Sequence, residues 1–492
     1  MTLPTGATAR PVRFAQAAFL VLLALKIYFE FAAAPIGDEA YYWMWGQKLA
    51  LSYFDHPPFH AWMLRLMNLV FGWNLFAIRA LTWLTFGGTL WIFWDWAKRL
   101  SPEDPQSWFW PSAAIYLAAP MFFMMSSIVF HDHLLIFLCI ATAHLFLVFA
   151  EKYEATGKGT VWLYAGGAAL GLAALTKYNG ALFGIGVALF FIVNKSLRPL
   201  WRSPHLYLAA LLAVAIQTPV FWWNITEGFA SYKFHLSERW GGNLFQFHPL
   251  NILEFIALAA IFVSPFLVPA IIGMIRRPLG SPFADRARSL AICVFVASSL
   301  VMLFLSMFIE IYFYWNIVAD VLLMPLVIGW MRRRWVFWLH MVYGLIFACL
   351  LSFNNSIIPF GNLNGGLDWT ASSTYNWPET AAHVEALRKQ HAVGFVAATR
   401  YTTAAQLGFA MHDADVTALS ARHDQYDFWF DPVAHKGEDA LIVTDPQLGT
   451  RDIDGQFDEL IELEQVPYFR FGILVYRPII YLGRNFHGQV GY

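Results

Sequence analysis

The sequence predicts a mainly α fold: a polytopic transmembrane helical bundle of about eleven spans, followed by a small soluble α/β domain. Three observations carry this. The 492 residues are 58% hydrophobic and only 13% charged, where soluble domains average roughly 25% charged. The apolar residues fall in blocks of roughly 20, the length that crosses a ~30 Å hydrocarbon layer. After residue 353 the composition changes to that of an ordinary soluble domain. A single soluble core stops growing near ~250–300 residues, so so much apolar sequence cannot be buried in one. The formal net charge of −1 gives no basic field of the kind that binds nucleic acid. Cys139, Cys293 and Cys349 all lie inside apolar segments, which leaves no disulfide scaffold and no CxxC metal site.

The apolar spans fall at 14–34, 80–97, 108–128, 134–150, 161–176, 178–194, 204–223, 251–275, 289–308, 316–331 and 335–353. Ala32-Ala33-Ala34 resembles a signal-peptide cleavage site, but in a multi-spanning chain the first segment is expected to stay as an anchor. Basic residues at the span ends decide orientation, because cytoplasmic loops carry the excess of Lys and Arg. Lys98-Arg99, Lys152, Lys195, Arg198, Arg276-Arg277 and Arg332 to Arg334 fall on one side. The alternate loops 35–79, 129–133, 224–250 and 309–315 carry carboxylates, histidines and aromatics instead. Every junction places the N-terminus in the cytoplasm and the C-terminal domain outside. The chain is therefore divided into a membrane domain, 1–353, and a linker with an extracytoplasmic α/β domain, 354–492.

Within that last part, 354–375 is rich in Asn, Gly, Ser and Thr, the composition of a linker. A helix is predicted from Pro378 to His391, with the proline near its start, and another near 403–412. Short apolar runs at 393–399, 415–419, 440–444 and 471–477 predict strands. The triplets Asp413-Ala-Asp415 and Asp452-Ile-Asp454 mimic the DxD motif of nucleotide-sugar transferases, but acidic loops produce such triplets often. No internal repeat, P-loop or GxGxxG fingerprint is present.

The chemistry-bearing residues sit on the outer side. Asp38 and Glu39 follow the first span, and two carboxylates there are costly if they face lipid. Aromatic residues follow at once in Tyr41-Tyr42-Trp43 and favour burial in a protein cleft over a solvated loop. A carboxylate so held has a raised pKa and serves as a general base. Further along the same loop comes Asp55-His56-Pro57-Pro58, where the prolines hold the backbone extended and aim both polar side chains. An interfacial aromatic belt accounts for the tryptophans nearby but not for Asp55 and His56. The next outer loop carries His131-Asp132-His133. This is either a polar turn or, by spacing, part of a divalent metal site, although His-x-His alone is short of the three or four ligands zinc needs. Lys177, in a tight hairpin turn at 176–180, and Arg239 face outward against the positive-inside trend. Each suits headgroup snorkelling or a phosphate ligand equally well, and together they favour phosphate.

The succession of Asp38-Glu39, Asp55-His56-Pro57-Pro58, an aspartate in the second outer loop and Thr176-Lys177-Tyr178 resembles the PMT-like group of GT-C fold membrane glycosyltransferases. That group contains protein O-mannosyltransferases and the aminoarabinose transferases that modify lipid A. The resemblance covers roughly 14–350, is most specific over 35–65, and extends to Asp424-Gln425-Tyr426-Asp427-Phe428-Trp429 in the tail. It implies transfer of a sugar, with inversion, from a polyprenyl-phosphate donor to an envelope lipid, glycan or protein acceptor on the outer face. It also implies a bacterial inner membrane location with the tail periplasmic. By the same resemblance Asp38 is the base and Glu39 its support. Asp55, His56, Asp132 and Lys177 bind the donor; His56 stands where lysine is common, which puts phosphate binding there in doubt. Arg239 is an added donor-binding candidate outside the resemblance. No cofactor is implied beyond a possible divalent metal. The rival class is a transporter or lipid flippase, which usually places polar, broken helices at the midplane and often repeats its halves; here the polar residues cluster at the outer mouth.

Overall fold

A computed structural model describes residues 9–490 apart from 237–246, 332, 367, 446 and 448. Lipid offers backbone groups no hydrogen-bond partners, so a segment that crosses it must satisfy them internally. The apolar blocks are accordingly helical. Val12–Ala32, Leu75–Leu100, His131–Thr156, Pro282–Ser306 and Arg334–Ser356 are each long and apolar enough to cross a membrane. Four further pairs of helices are together long and apolar enough but bend at a short break, as a broken span or a re-entrant loop does: Gln106–Ala118 with Pro120–Ser127, Gly180–Val193 with Lys195–Arg202, Pro204–Ala215 with Thr218–Thr226, and Asn251–Val263 with Val268–Arg276. Pro120 and Pro265 explain two of the breaks, since proline lacks an N–H and disfavours helix in the residue before it. Thr160–Thr176 is a shorter apolar helix. The chain is an integral membrane protein.

The apolar block 316–331 departs from this pattern. It holds only the short helix Ile317–Asp320, a run of turns and the 3-10 turn Val327–Trp330. Residues 316–327 are all buried. Irregular backbone survives at membrane depth only where protein covers it.

The chain divides into two compact units. One comprises Met1–Ile27, His56–His60 and Leu81–Cys349; the other comprises Tyr28–Asp55, Ala61–Ala80 and Leu350–Tyr492. In the first, the predicted hairpin is present: Thr160–Thr176 and Gly180–Val193 are joined by three residues. The turn requires Gly180, because a Cβ there would lie 2.5 Å from the carbonyl carbon of Ala173. Gly180→Ala is therefore expected to cost about 1–3 kcal/mol through forced backbone movement, read as a lower unfolding midpoint of the purified protein. At the end assigned to the cytoplasm, Arg99 pairs with Asp95 at 2.9 Å and with Glu151 at 2.5 Å. Arg286 pairs with Glu151 and Glu154. Single exposed pairs contribute little, but this network ties three span helices together.

The second unit contains a mixed sheet in the order β2-β1-β3-β7-β4. Its strands are β1 (Phe395–Ala398), β2 (Thr417–Ala418), β3 (Ala440–Thr444), β4 (Phe457–Gln465) and β7 (Ile479–Phe486), while β5 (Tyr468–Arg470) and β6 (Ile473–Tyr476) form a separate pair. β1 is parallel to both β2 and β3, and β7 is antiparallel to β3 and β4. The predicted helices are Trp377–His391 and Tyr401–Met411. β4 and β7 were not predicted: Glu and Arg interrupt their apolar alternation. Residues 35–79 also hold two helices, Gly37–Gln47 and Phe59–Phe71. The latter exposes Leu66, Leu69, Val70 and Phe71, an apolar stripe suited to a membrane interface.

Candidate functional site

Asp38 and Glu39 lie in the first turn of the helix Gly37–Gln47, where carboxylates complement the helix dipole. Their surroundings differ sharply. Glu39 is fully buried and ion-paired to Arg79 at 2.9 Å, and its carboxylate also accepts the Ile36 N–H at 2.9 Å. Arg79 spends its remaining donors on the carbonyls of Glu30, Ala33 and Ala34, the end of the preceding span. One buried ion pair thus clamps the exit of that span to the start of the next helix. Arg79 was not among the residues expected from the sequence, although a basic residue at the edge of an apolar span was a signal.

Asp38 is half-buried and accepts a hydrogen bond from the Tyr401 hydroxyl at 3.1 Å. Burial raises its pKa; the Tyr401 bond opposes this, while the charge of Asp55 adds to it and Arg422 opposes it. Asp55 in turn accepts from the Tyr41 hydroxyl at 2.9 Å and lies 3.6 Å from Arg422. The Arg422 guanidinium stands 4.7 Å over the Tyr401 ring. Tyr41 is pinned by the Gln425 N–H at 2.8 Å, and Gln425 accepts from the Phe54 N–H at 2.7 Å. Burial raises the pKa of Tyr41 well above the ordinary phenol value, so it remains a donor.

Tyr401 and Arg422 were missing from the sequence prediction. Fold topology explains their place: Arg400 and Tyr401 follow β1, and Arg422 follows β2. They stand outside the carboxyl ends of parallel strands, where α/β sheets present their functional groups. The echo at 424–429 lies in the same region. Asp424 caps its own short turn by accepting the Tyr426 N–H at 2.8 Å, and burial raises its pKa well above normal. Asp413 pairs with Arg388, and Asp415 with Lys48.

A second constellation lies in the other unit. His131, Asp132 and His133, expected in a loop, form the first turn of the helix His131–Thr156. Lys177 donates to both oxygens of Asp132 at 2.8 Å, and both side chains are buried. Lys177 also stands 4.7 Å from the Tyr314 ring centroid. Beside it is a cavity of about 270 Å³ lined by His56, Lys177, Tyr178, Asn179, His235 and Trp315, among others. Those side chains offer cationic, imidazole, phenol and amide donors, a set suited to phosphate oxygens. Behind His56 runs a string of imidazoles. His56 and His60 each pack on His131 with ring centroids 4.3 and 4.4 Å apart. His60 and His133 meet at 3.2 Å between Nε2 atoms, and Thr85 meets the far nitrogen of His133 at 3.0 Å. Among the described residues no group of three or more His, Cys, Asp or Glu side chains is arranged to hold a metal ion. Arg239 lies outside the described residues.

Comparison with known proteins agrees with the resemblance read from the sequence. The family described as dolichyl-phosphate-mannose-protein mannosyltransferase matches residues 55–223. The lipid A galacturonosyltransferase RgtD of Rhizobium johnstonii is 28% identical over 259 residues, 51% of this chain. The chain spans about half the length of that curated relative, 51%. ArnT from Cupriavidus metallidurans bound to undecaprenyl phosphate superposes with a TM-score of 0.60 at 17% identity, covering 97% of this chain and 98% of that one. The arabinofuranosyltransferase AftD from Mycobacteria gives a TM-score of 0.50 at 14% identity, over 97% of this chain and 40% of that one. The match to ArnT runs through nearly the whole chain, membrane helices and tail alike, so the protein has the GT-C fold.

Proposed function

We propose that the protein is a membrane glycosyltransferase that moves a sugar from a polyprenyl-phosphate carrier to an acceptor on the outer face, with inversion, in cell-envelope glycan or lipid A modification. The observation that carries this is Asp38: a carboxylate with its pKa raised by burial, oriented by one phenol and flanked by a second carboxylate. Those are the properties of a general base. In the reaction Asp38 takes the proton of the acceptor hydroxyl as its oxygen bonds to the anomeric carbon. The bond from that carbon to the phosphate oxygen breaks, and polyprenyl phosphate leaves with the electron pair. Lys177, fixed by Asp132, supplies positive charge for the departing phosphate, where stabilising developing charge contributes most, and His56 offers a ring nitrogen beside it. The RgtD and ArnT matches support a membrane lipid-linked donor and an envelope acceptor. We assign the fold to the inner membrane of a bacterium, with 1–353 as the membrane domain and 354–492 on the periplasmic side, in keeping with the basic residues at the span ends.

The test is sugar transfer in reconstituted membranes from a panel of polyprenyl-phosphate sugars. Transfer from at least one carrier is expected; folded protein that transfers from none would sink the reading. Its pH profile is diagnostic. Asp38 works only when ionised, so activity should fall as pH drops through its raised pKa. Tyr401→Phe removes a bond that favours the charged form and should move that acid limb to higher pH. Asp55→Asn removes a repelling charge and should move it lower. Limbs that shift together, or not at all, would contradict the role of Asp38.

A further inference from the structure

In the unit that holds Asp38 there is a second cavity, of about 350 Å³, whose lining includes none of the residues given a part in the transfer. It is bordered by the start of β1 and β2, by Trp429 and Tyr426, and by Lys48, Arg388, Asp413 and Asp415. Two of its lining side chains stand out. Thr417 is 3% exposed and Tyr426 is 2% exposed, yet neither hydroxyl has a hydrogen-bond partner among the described residues. Buried hydroxyls are nearly always paired, because leaving one unpaired forfeits its hydration. Both residues border the same cavity; their oxygens lie just beneath its wall, and a ligand that seats there and shifts that wall would pair them.

The remaining groups narrow its chemistry. Lys48 bonds Asp415 at 2.8 Å, and Arg388 lies 3.3 Å from Asp413. The rim is thus charge-balanced pair by pair, and an ionic ligand would have to break a pair to bind. A polyhydroxylated ligand need not, since the carboxylates keep spare lone pairs for its hydroxyls. Trp429 adds an aromatic surface, with the Lys48 ammonium 5.6 Å from its ring centroid. Hydroxyl donors and acceptors beside an apolar C–H face describe a sugar.

We propose that this cavity is a saccharide-binding subsite. Resting on the transferase reading above, it seats a sugar unit of the acceptor glycan. Tyr426 forms part of its wall and also stacks on Tyr41 with ring centroids 5.9 Å apart. Tyr41 donates to Asp55, so one aromatic pair connects the subsite to the group around Asp38.

The experiment uses the full chain in lipid nanodiscs free of sugar-based detergent, with cellobiose and chitobiose as probes and saturation-transfer NMR as the readout. Wild type should bind at least one probe, and Trp429→Ala should abolish binding. Thr417→Val and Tyr426→Phe should each weaken it about five- to tenfold. Because each removes an unpaired buried hydroxyl, their unfolding midpoints should equal or exceed that of wild type, which separates lost recognition from lost structure. Absence of binding by wild type, or equal binding by wild type and all three variants, overturns the subsite. Asp38→Asn should bind the probes as wild type does. Binding without transfer from any carrier would therefore leave the subsite standing while the transferase reading fell, and transfer without variant-sensitive binding would do the reverse.

Discussion

Asp38→Asn is expected to reduce sugar transfer by about 10³-fold, within the range that a positioned general base contributes, while the protein stays folded and inserted. Asparagine keeps the shape, and its carbonyl still accepts the Tyr401 hydroxyl. It also removes a charge that burial disfavours, so the unfolding midpoint should hold or rise. The loss then belongs to chemistry: an amide has no basic site for the acceptor proton. Transfer rates at saturating donor, read beside the midpoint, check this. Turnover near that of wild type would remove Asp38 from the mechanism.

Lys177→Met has the second large effect and a different character. Asp132 and Lys177 are both buried, and each accounts for the other's charge. Removing the cation strands a buried carboxylate, which costs roughly 3–5 kcal/mol in comparable pairs. The single variant should thus lose both stability and transfer. Lys177→Met combined with Asp132→Leu should recover much of the stability, because an apolar replacement of a buried pair is often neutral. Transfer should stay absent in the double variant if the ammonium serves the donor phosphate. Recovery of transfer along with stability would make the pair purely structural.

The membrane helices were legible because lipid imposes one rule on every segment, and hydropathy records it directly. The hairpin at 176–180 and the tail strands β1, β2 and β3 were legible for similar local reasons. The block at 316–331 was not: apolar composition states that a segment is covered, but not whether lipid or protein covers it. At the site, Asp38 announced itself because adjacent carboxylates beside aromatics need an explanation. Its partners Tyr401 and Arg422 are more than 360 residues away in the chain and sit in a tail whose sequence looks ordinary. Only the sheet, which aligns the ends of β1 and β2, brings them to the first outer loop. Glu39 was read as the support of Asp38, while the structure pairs it with Arg79, a residue the sequence reading left unremarked at the end of the loop 35–79.

The unit that contains Asp38 is assembled from three stretches, Tyr28–Asp55, Ala61–Ala80 and Leu350–Tyr492. This bears on how such a chain can be recombined. A graft that replaces only the tail would set a foreign Tyr401 and Arg422 against the native Asp38 and Asp55, and would inherit a mistuned carboxylate even if every part folded. The exchangeable cassette is discontinuous: the tail travels with the first outer loop. Inheritance of the two together, rather than the boundary near residue 353, marks what a productive crossover must preserve.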